Sequence, residues 1–404
     1  VDLTRLRRTV NPRAEWRQMF DENGRLMASH YWREDMNGVD WDGVLNRYRP
    51  LVDLCHVVDD LHDILWETVA ELNTSHSYVS ASGAAGDSDM RAGLLGADVS
   101  SGDDGARVVR VIPGESSDPR AWSPLRAAGV AVTEGDVIVA VDGRKVGADG
   151  NLGELLEGSA GRVVELTVRR GENERQVAVV PMADEAPLRY HDWVASRRRY
   201  VEGHSGGRLG YLHVPDMVSD GWAELHRQIG EATRHEGVIA DVRFNHGGHT
   251  SQLVVERLAR RVVGWDYSRW YTTADTYPQN AVRGPIVMVT NQWAGSDGDI
   301  VAAATQAMGY AKVIGERSWG GVVGIDGRFD LVDGTSVTQP RYAGWYGNYG
   351  WGVENHGVDP DIVVTVSPED WEADRDVQLD AAIAECLRQL DDKPAATAPE
   401  LPGP

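Results

Sequence analysis

A chain of 404 residues, 42% of them hydrophobic, is long enough for two or three packed domains and unlike a disordered polypeptide. Its 62 acidic residues against 40 basic ones leave a formal charge of −22, which works against nucleic acid or an anionic membrane as a partner. No apolar run of about 18 residues and no basic-then-apolar leader occurs, so the chain reads as cytoplasmic. Because it opens at Val1 directly into helical material, it also reads as a fragment of something longer.

Residues 1–92 are expected to be mainly helical. Leu54, Val58, Leu61, Leu65, Val69 and Leu72 recur at spacings of three and four and give one apolar face. The pattern stops at Asn73-Thr74-Ser75-His76-Ser77, which is polar and turn-forming. Cys55 and Cys386 both fall in apolar helical patterns and read as reduced core residues, with a disulfide between them left open.

From about Gly93 the period changes. Strands are predicted at Arg107–Ile112, Asp136–Val141, Val163–Arg169 and Gln176–Val180, with a hairpin signal at Asp142-Gly143 and a short helix near Leu152–Glu157. This is a compact α+β module over 93–184. The loop Gly93-Leu94-Leu95-Gly96 and the run Ala127-Ala128-Gly129, Glu134-Gly135-Asp136-Val137-Ile138, Val141-Asp142-Gly143 make it similar to a PDZ domain. That resemblance implies an open strand edge able to add an extended peptide, with the loop amides receiving its carboxylate. A PDZ-shaped spacer that binds nothing is the other reading.

Residues 185–392 alternate strands and helices. Leu209–Val214 reads as a strand, Gly237–Arg243 as a continuously apolar buried strand and Gly284–Thr290 as a second buried strand, while Trp222–Thr233, Leu253–Val262 and Asp299–Met308 are helical. An α/β domain with a partly parallel sheet follows. A last helix carries Leu379, Ile383, Leu387 and Leu390, and the tail 393–404 is expected to be disordered.

The buried strand ending at Asn291 turns through Gln292-Trp293-Ala294-Gly295 into Ser296, where a helix begins. A serine at such a turn exposes its hydroxyl, and the next amide, that of Asp297, points out of a helix N-terminus. Both suit acyl transfer. An ordinary serine N-cap would look the same locally. Beyond the neighbouring strand, Asp241-Val242-Arg243-Phe244-Asn245-His246-Gly247-Gly248 places two glycines where backbone amides can approach a ligand, or simply a turn.

Together these runs resemble the tricorn protease family and the related C-terminal-processing serine peptidases, whose pattern continues into Gly315-Glu316-Arg317-Ser318-Trp319-Gly320. The processing branch uses a lysine just after that glycine. Here Gly321 stands there, and of the three lysines, Lys145, Lys312 and Lys393, none falls in the motif. The tricorn branch takes its base from a Ser-His pair ahead of the PDZ domain, here Ser75-His76, and an imidazole titrating near neutrality suits that task.

The resemblance further implies that Glu354, in Trp351-Gly352-Val353-Glu354-Asn355-His356-Gly357, hydrogen-bonds Ser75 and so orients His76. It implies oxyanion donors at the amides of Gly248 and Asp297, substrate contact at Gly247, and Asp266 as the acid receiving a basic P1 side chain. The implied architecture is a helical catalytic segment (1–92), the PDZ domain (93–184) and a ClpP/crotonase-like α/β domain (185–392). No cofactor or metal is implied; His246, His249 and His356 lack a ligand framework and read as pocket lining or surface. The family also carries β-propeller domains ahead of these parts and assembles as a hexamer. The expected activity is hydrolysis of short unfolded peptides, proteasome products among them. The alternatives are a C-terminal-processing protease and an inert peptide-binding scaffold.

Overall fold

The computed structural model describes residues 7, 9–81, 90–147 and 151–402. The chain divides into two compact units, Val1–Gly83 with Tyr200–Pro404, and Ala84–Arg199. The helical segment and the α/β part therefore share one unit rather than standing apart.

In the first unit three helices, Pro12–His30, Trp41–Val52 and Val58–Ala70, open the chain. Asn11 caps the first of them through the Ala14 amide, and Pro12 stands where its missing N–H costs nothing. Leu54, expected on the apolar face of the third helix, is instead exposed, because that helix starts only at Val58. The carboxylate of Asp60 accepts the His56 and Val57 amides, which sets this start. Phe20, Leu26, Leu61 and Leu65 are fully buried and pack in one cluster with Leu331 and Val337 from far along the chain. Each buried leucine contributes about 1.5–3 kcal/mol, so the helices depend on residues some 270 positions away for part of their core.

The centre of this unit is a five-stranded, wholly parallel sheet. Its order is Ile362–Val363, Ala311–Gly315, Ile286–Thr290, Gly237–Asp241, Leu209–His213. The inner strands are buried at every position, which explains their continuous apolar runs. The helix Val377–Asp392 lays Leu379, Ile383, Cys386 and Leu390 into the interior, and Cys386 and Cys55 are both free thiols. The tail expected to be disordered is tethered part-way along: Ala396 donates to the Arg283 carbonyl at 2.8 Å, and the Arg283 guanidinium returns a bond to the Ala396 carbonyl.

The second unit is built on an antiparallel sheet ordered Ala97–Gly102, Gly105–Val111, Val137–Val141, Val164–Arg170, Asn173–Val179. The first of these strands, rich in serine and aspartate, is missed by a reading that looks for apolar alternation. Asp142 and Gly143 both take positive φ (47° and 73°), as a tight two-residue hairpin demands. Val108, Ile138, Leu166 and Val168 form the centre of its core.

Candidate active site

In a parallel sheet the loops that leave the carboxyl ends of the strands gather along one edge, and ligands bind there. Three such loops matter here: 242–250, 291–296 and 316–321. Ser296 caps the helix Asp297–Met308 with φ 57° and ψ −119°, a conformation that costs a non-glycine residue energy. Its side chain makes no cap bond, so the hydroxyl is not spent on the helix.

The adjacent loop is held against this turn. The Gly295 amide donates to the Asn245 carbonyl at 3.0 Å, and a Cβ added at Gly247 would lie 2.5 Å from that of Ser296. Gly248 pairs with Met217 through its neighbours: Met217 N–H donates to the Gly247 carbonyl, and His249 N–H to the Met217 carbonyl. That pattern turns the Gly248 N–H to the opposite side. Its φ of 146°, with the Met217 carbonyl 2.1 Å from any added Cβ, admits glycine alone. Asp297 is the first residue of its helix, where N–H groups have no intrahelical acceptor. Among the described residues neither the Gly248 nor the Asp297 amide has a hydrogen-bond acceptor. Two free N–H groups thus flank the serine turn.

The polar residues of the 241–248 motif supply its rigidity. Asn245, fully buried, donates to the Val214 carbonyl at 2.8 Å and accepts the Gly247 amide at 2.9 Å. Arg243 bridges Asp241 and Asp376, each at 2.7 Å, in a setting where all three side chains are less than a tenth exposed. Asn291 Oδ1 accepts the amides of both Phe244 and Trp293, joining the two loops.

Ser75 and His76 reach this region through tethers of great sequence separation. Val79-Ser80 pairs with Ser336-Val337, the Thr338 hydroxyl donates to the His76 carbonyl, and Asn355 Nδ2 donates to the Asn73 carbonyl. Ser75 Oγ lies 3.0 Å from His76 Nδ1. Glu354 Oε1 accepts the backbone amide of Ser75 at 2.9 Å, while Oε2 accepts those of Val322 and Val323. The expected contact is therefore present, but it is made to the main chain of Ser75 rather than to its hydroxyl. Burial lowers the His76 pKa below the usual imidazole range, and the negative charge of Glu354 partly opposes that shift. Burial thus favours the neutral imidazole, the form a general base needs. No hydrogen bond joins it to Ser296 among the described residues; the two are linked through Trp319, whose ring packs edge-on to His76 at 5.5 Å and against Gly295.

Trp319 belongs to a group that sequence reasoning missed. Asp299 Oδ1 accepts the Ser318 hydroxyl at 2.5 Å and the Gly320 amide at 2.8 Å, and Oδ2 accepts the Gly321 amide at 3.1 Å. This fully buried carboxylate, pushed up by burial to about 6, ties the helix behind Ser296 to the loop that carries Trp319. In sequence it resembles an acidic residue favouring a helix N-terminus. At Gly321, where a lysine would serve the processing branch, an added Cβ would meet the Trp319 ring at 2.3 Å and Ser75 Oγ at 2.9 Å. Lys312 lies at the far end of its strand, paired with Asp361.

Asp266 is not brought to this cluster by any hydrogen bond or ion pair among the described residues. It is exposed on a two-stranded ribbon, directly opposite Asp275. His356 pairs with Asp359 at 2.8 Å. No described helix is long and apolar enough to cross a membrane.

Comparison with known proteins adds independent findings. Residues 208–364 match the profile of Peptidase family S41, 93–184 that of the Tricorn protease PDZ domain, and 12–70 that of the Tricorn protease C1 domain. Tricorn protease homolog 1 of Streptomyces coelicolor is 60% identical over 405 residues, covering 100% of this chain and 38% of that protein. Tricorn protease of Thermoplasma acidophilum is 37% identical over 93% of this chain and 35% of its own length. The crystal structure of the tricorn protease superposes with a TM-score of 0.91 at 36% identity, over 97% of this chain and 38% of that one. The chain thus spans little more than a third of the length of these relatives.

Proposed function

Because this chain belongs to the tricorn protease family, we propose that it is the catalytic part of a serine peptidase that hydrolyses short, unfolded peptides through an acyl-enzyme. The observation that carries this reading is the convergence of a strained, uncapped Ser296 with two unpaired amides, those of Gly248 and Asp297, at the carboxyl edge of the sheet. His76 Nε2 takes the Ser296 proton as Oγ attacks the scissile carbonyl, once substrate closes the gap between them. The developing oxyanion is held by the two amides. The amine departs with the proton from His76, and water then repeats the sequence on the ester. This role requires the tautomer in which His76 Nδ1–H is donated to Ser75 Oγ, 3.0 Å away, leaving the Nε2 lone pair free, and Glu354 fixes the Ser75 backbone beside it.

A biotinylated aryl phosphonate tests the assignment. It is expected to label the chain one-to-one on the Ser296 peptide, as located by mass spectrometry. Absence of labelling would instead favour an inert scaffold. The relatives' greater length is consistent with a further N-terminal part; propeller domains there, a homo-oligomer and proteasome products as substrates belong to the same proposal. Cytoplasmic location and a basic P1 residue met by Asp266 belong to the same proposal.

The lowered His76 pKa has a measurable consequence. A base that is protonated only below the usual imidazole value of about 6.5 should place the acid limb of kcat/KM below that pH. Glu354 raises the His76 pKa, so Glu354→Gln should move the limb to still lower pH and reduce kcat. A limb moving to higher pH would show that Glu354 does not act on His76.

A further inference from the structure

In the unit Ala84–Arg199 the strand Ala97–Gly102 ends its sheet, with Gly105–Val111 on one side and no strand on the other among the described residues. The loop Gly93–Gly96 leads into this edge, and in a PDZ fold such a loop offers its amides to a peptide carboxylate. Here three of those four amides, those of Gly93, Leu94 and Gly96, are engaged from within the chain. Leu94 N–H donates to the Met182 carbonyl at 2.8 Å, and Gly96 N–H donates to Glu185 Oε1 at 2.6 Å.

The second oxygen of Glu185 receives Arg189 Nε at 2.7 Å, and Arg189 Nη1 reaches Asp98 of the edge strand at 2.9 Å. A backbone amide on one oxygen and a guanidinium on the other form a donor set suited to a carboxylate, and the Glu185 side chain that fills it is only 12% exposed. Three residues on, Leu188 is completely buried and lies against Gly96. A Cβ added at Gly96 would come within 2.9 Å of Leu188 and 2.8 Å of Ser123, and its φ of +65° also calls for glycine. The segment thus supplies a carboxylate to the loop and an apolar side chain beside it. Those are the two groups by which the last residue of a peptide would be held.

We infer that Glu185 is an internal occupant of the carboxylate subsite of this PDZ module, so that a peptide with a free C-terminal carboxylate and an apolar last residue binds there only by displacing it. An internal ligand on a short tether competes at high effective concentration, which keeps such peptides weakly bound. This sets the module apart from one that captures protein C-termini, and it does not depend on the chemistry assigned to Ser296.

The test uses the full chain carrying Ser296→Ala, so that no peptide is turned over. A fluorescein-labelled hexapeptide ending in leucine is followed by anisotropy, with a free carboxylate or an amidated terminus. Glu185→Ala should bind the acid peptide about tenfold or more tightly than the chain with Glu185, the worth of one charge-assisted bond, and should not gain affinity for the amide. Glu185→Gln, which keeps side-chain length and one acceptor, should show a smaller gain of the same kind. Adding Arg189→Ala to either should abolish the gain. Equal affinity for the acid peptide with and without Glu185, in both variants, would overturn the inference. So would an equal gain for acid and amide peptides.

Discussion

Replacing Ser296 by alanine is expected to lower kcat for a fluorogenic peptide ester by on the order of 10⁶-fold, the loss seen when a hydroxyl activated by histidine is removed. At about 1.4 kcal/mol for each factor of ten, this is some 8 kcal/mol of transition-state stabilisation. The same change should leave stability within about 0.5 kcal/mol. The strain at φ 57° arises from the presence of a Cβ, which alanine retains, and the serine hydroxyl caps nothing. A large catalytic loss at unchanged unfolding free energy is thus the signature of a nucleophile. Turnover within tenfold of the parent chain would remove Ser296 from the chemistry.

The second large effect is on stability. Arg243→Ala should destabilise the chain by about 3–5 kcal/mol in equilibrium urea unfolding, because it leaves the Asp241 and Asp376 carboxylates facing each other in a buried site. The Asp241 carboxylate also accepts the Tyr211 hydroxyl at 3.0 Å, which cannot replace the lost charge. Burial opposes the guanidinium charge, yet the two carboxylates raise the Arg243 pKa well above its ordinary value, so the side chain stays ionised. A loss below about 1 kcal/mol would mean that water reaches the site once the arginine is gone. The same substitution frees the loop that ends in Gly248, and activity should fall with stability.

These two residues differ in how they were legible. The turn carrying Ser296 could be read from a buried strand running into a helix through Ala294-Gly295, but an ordinary serine N-cap looks the same locally, and only the resemblance to a family motif singled its hydroxyl out. Arg243 was visible only as part of a motif. That it ties Asp241 to Asp376, the latter 133 residues beyond Arg243, follows from the packing of the final helix under the sheet. Asp299 was missed for a similar reason. Its position in the first helical turn has an adequate local explanation, and its partners Ser318, Gly320 and Gly321 lie on a separate loop.

Local chemistry therefore determined the element types, the parallel sheet with its continuous apolar strands, the PDZ core with its Asp142-Gly143 turn, and the identity of the turn that carries Ser296. It did not determine the start of the third helix, where the side chain of Asp60 overrode an apolar spacing that began at Leu54. Nor did it determine the polar edge strand Ala97–Gly102, whose solvent-facing serines carry no strand signal. Tertiary structure alone decided that Glu354 grips the backbone of Ser75, that Trp319 stands between His76 and Gly295, and that Glu185 fills the loop beside Gly96. Each of these joins groups distant in sequence. Periodicity and turn chemistry act over a few residues, whereas a hydrogen bond across 279 residues exists only once the cores on either side of it have formed.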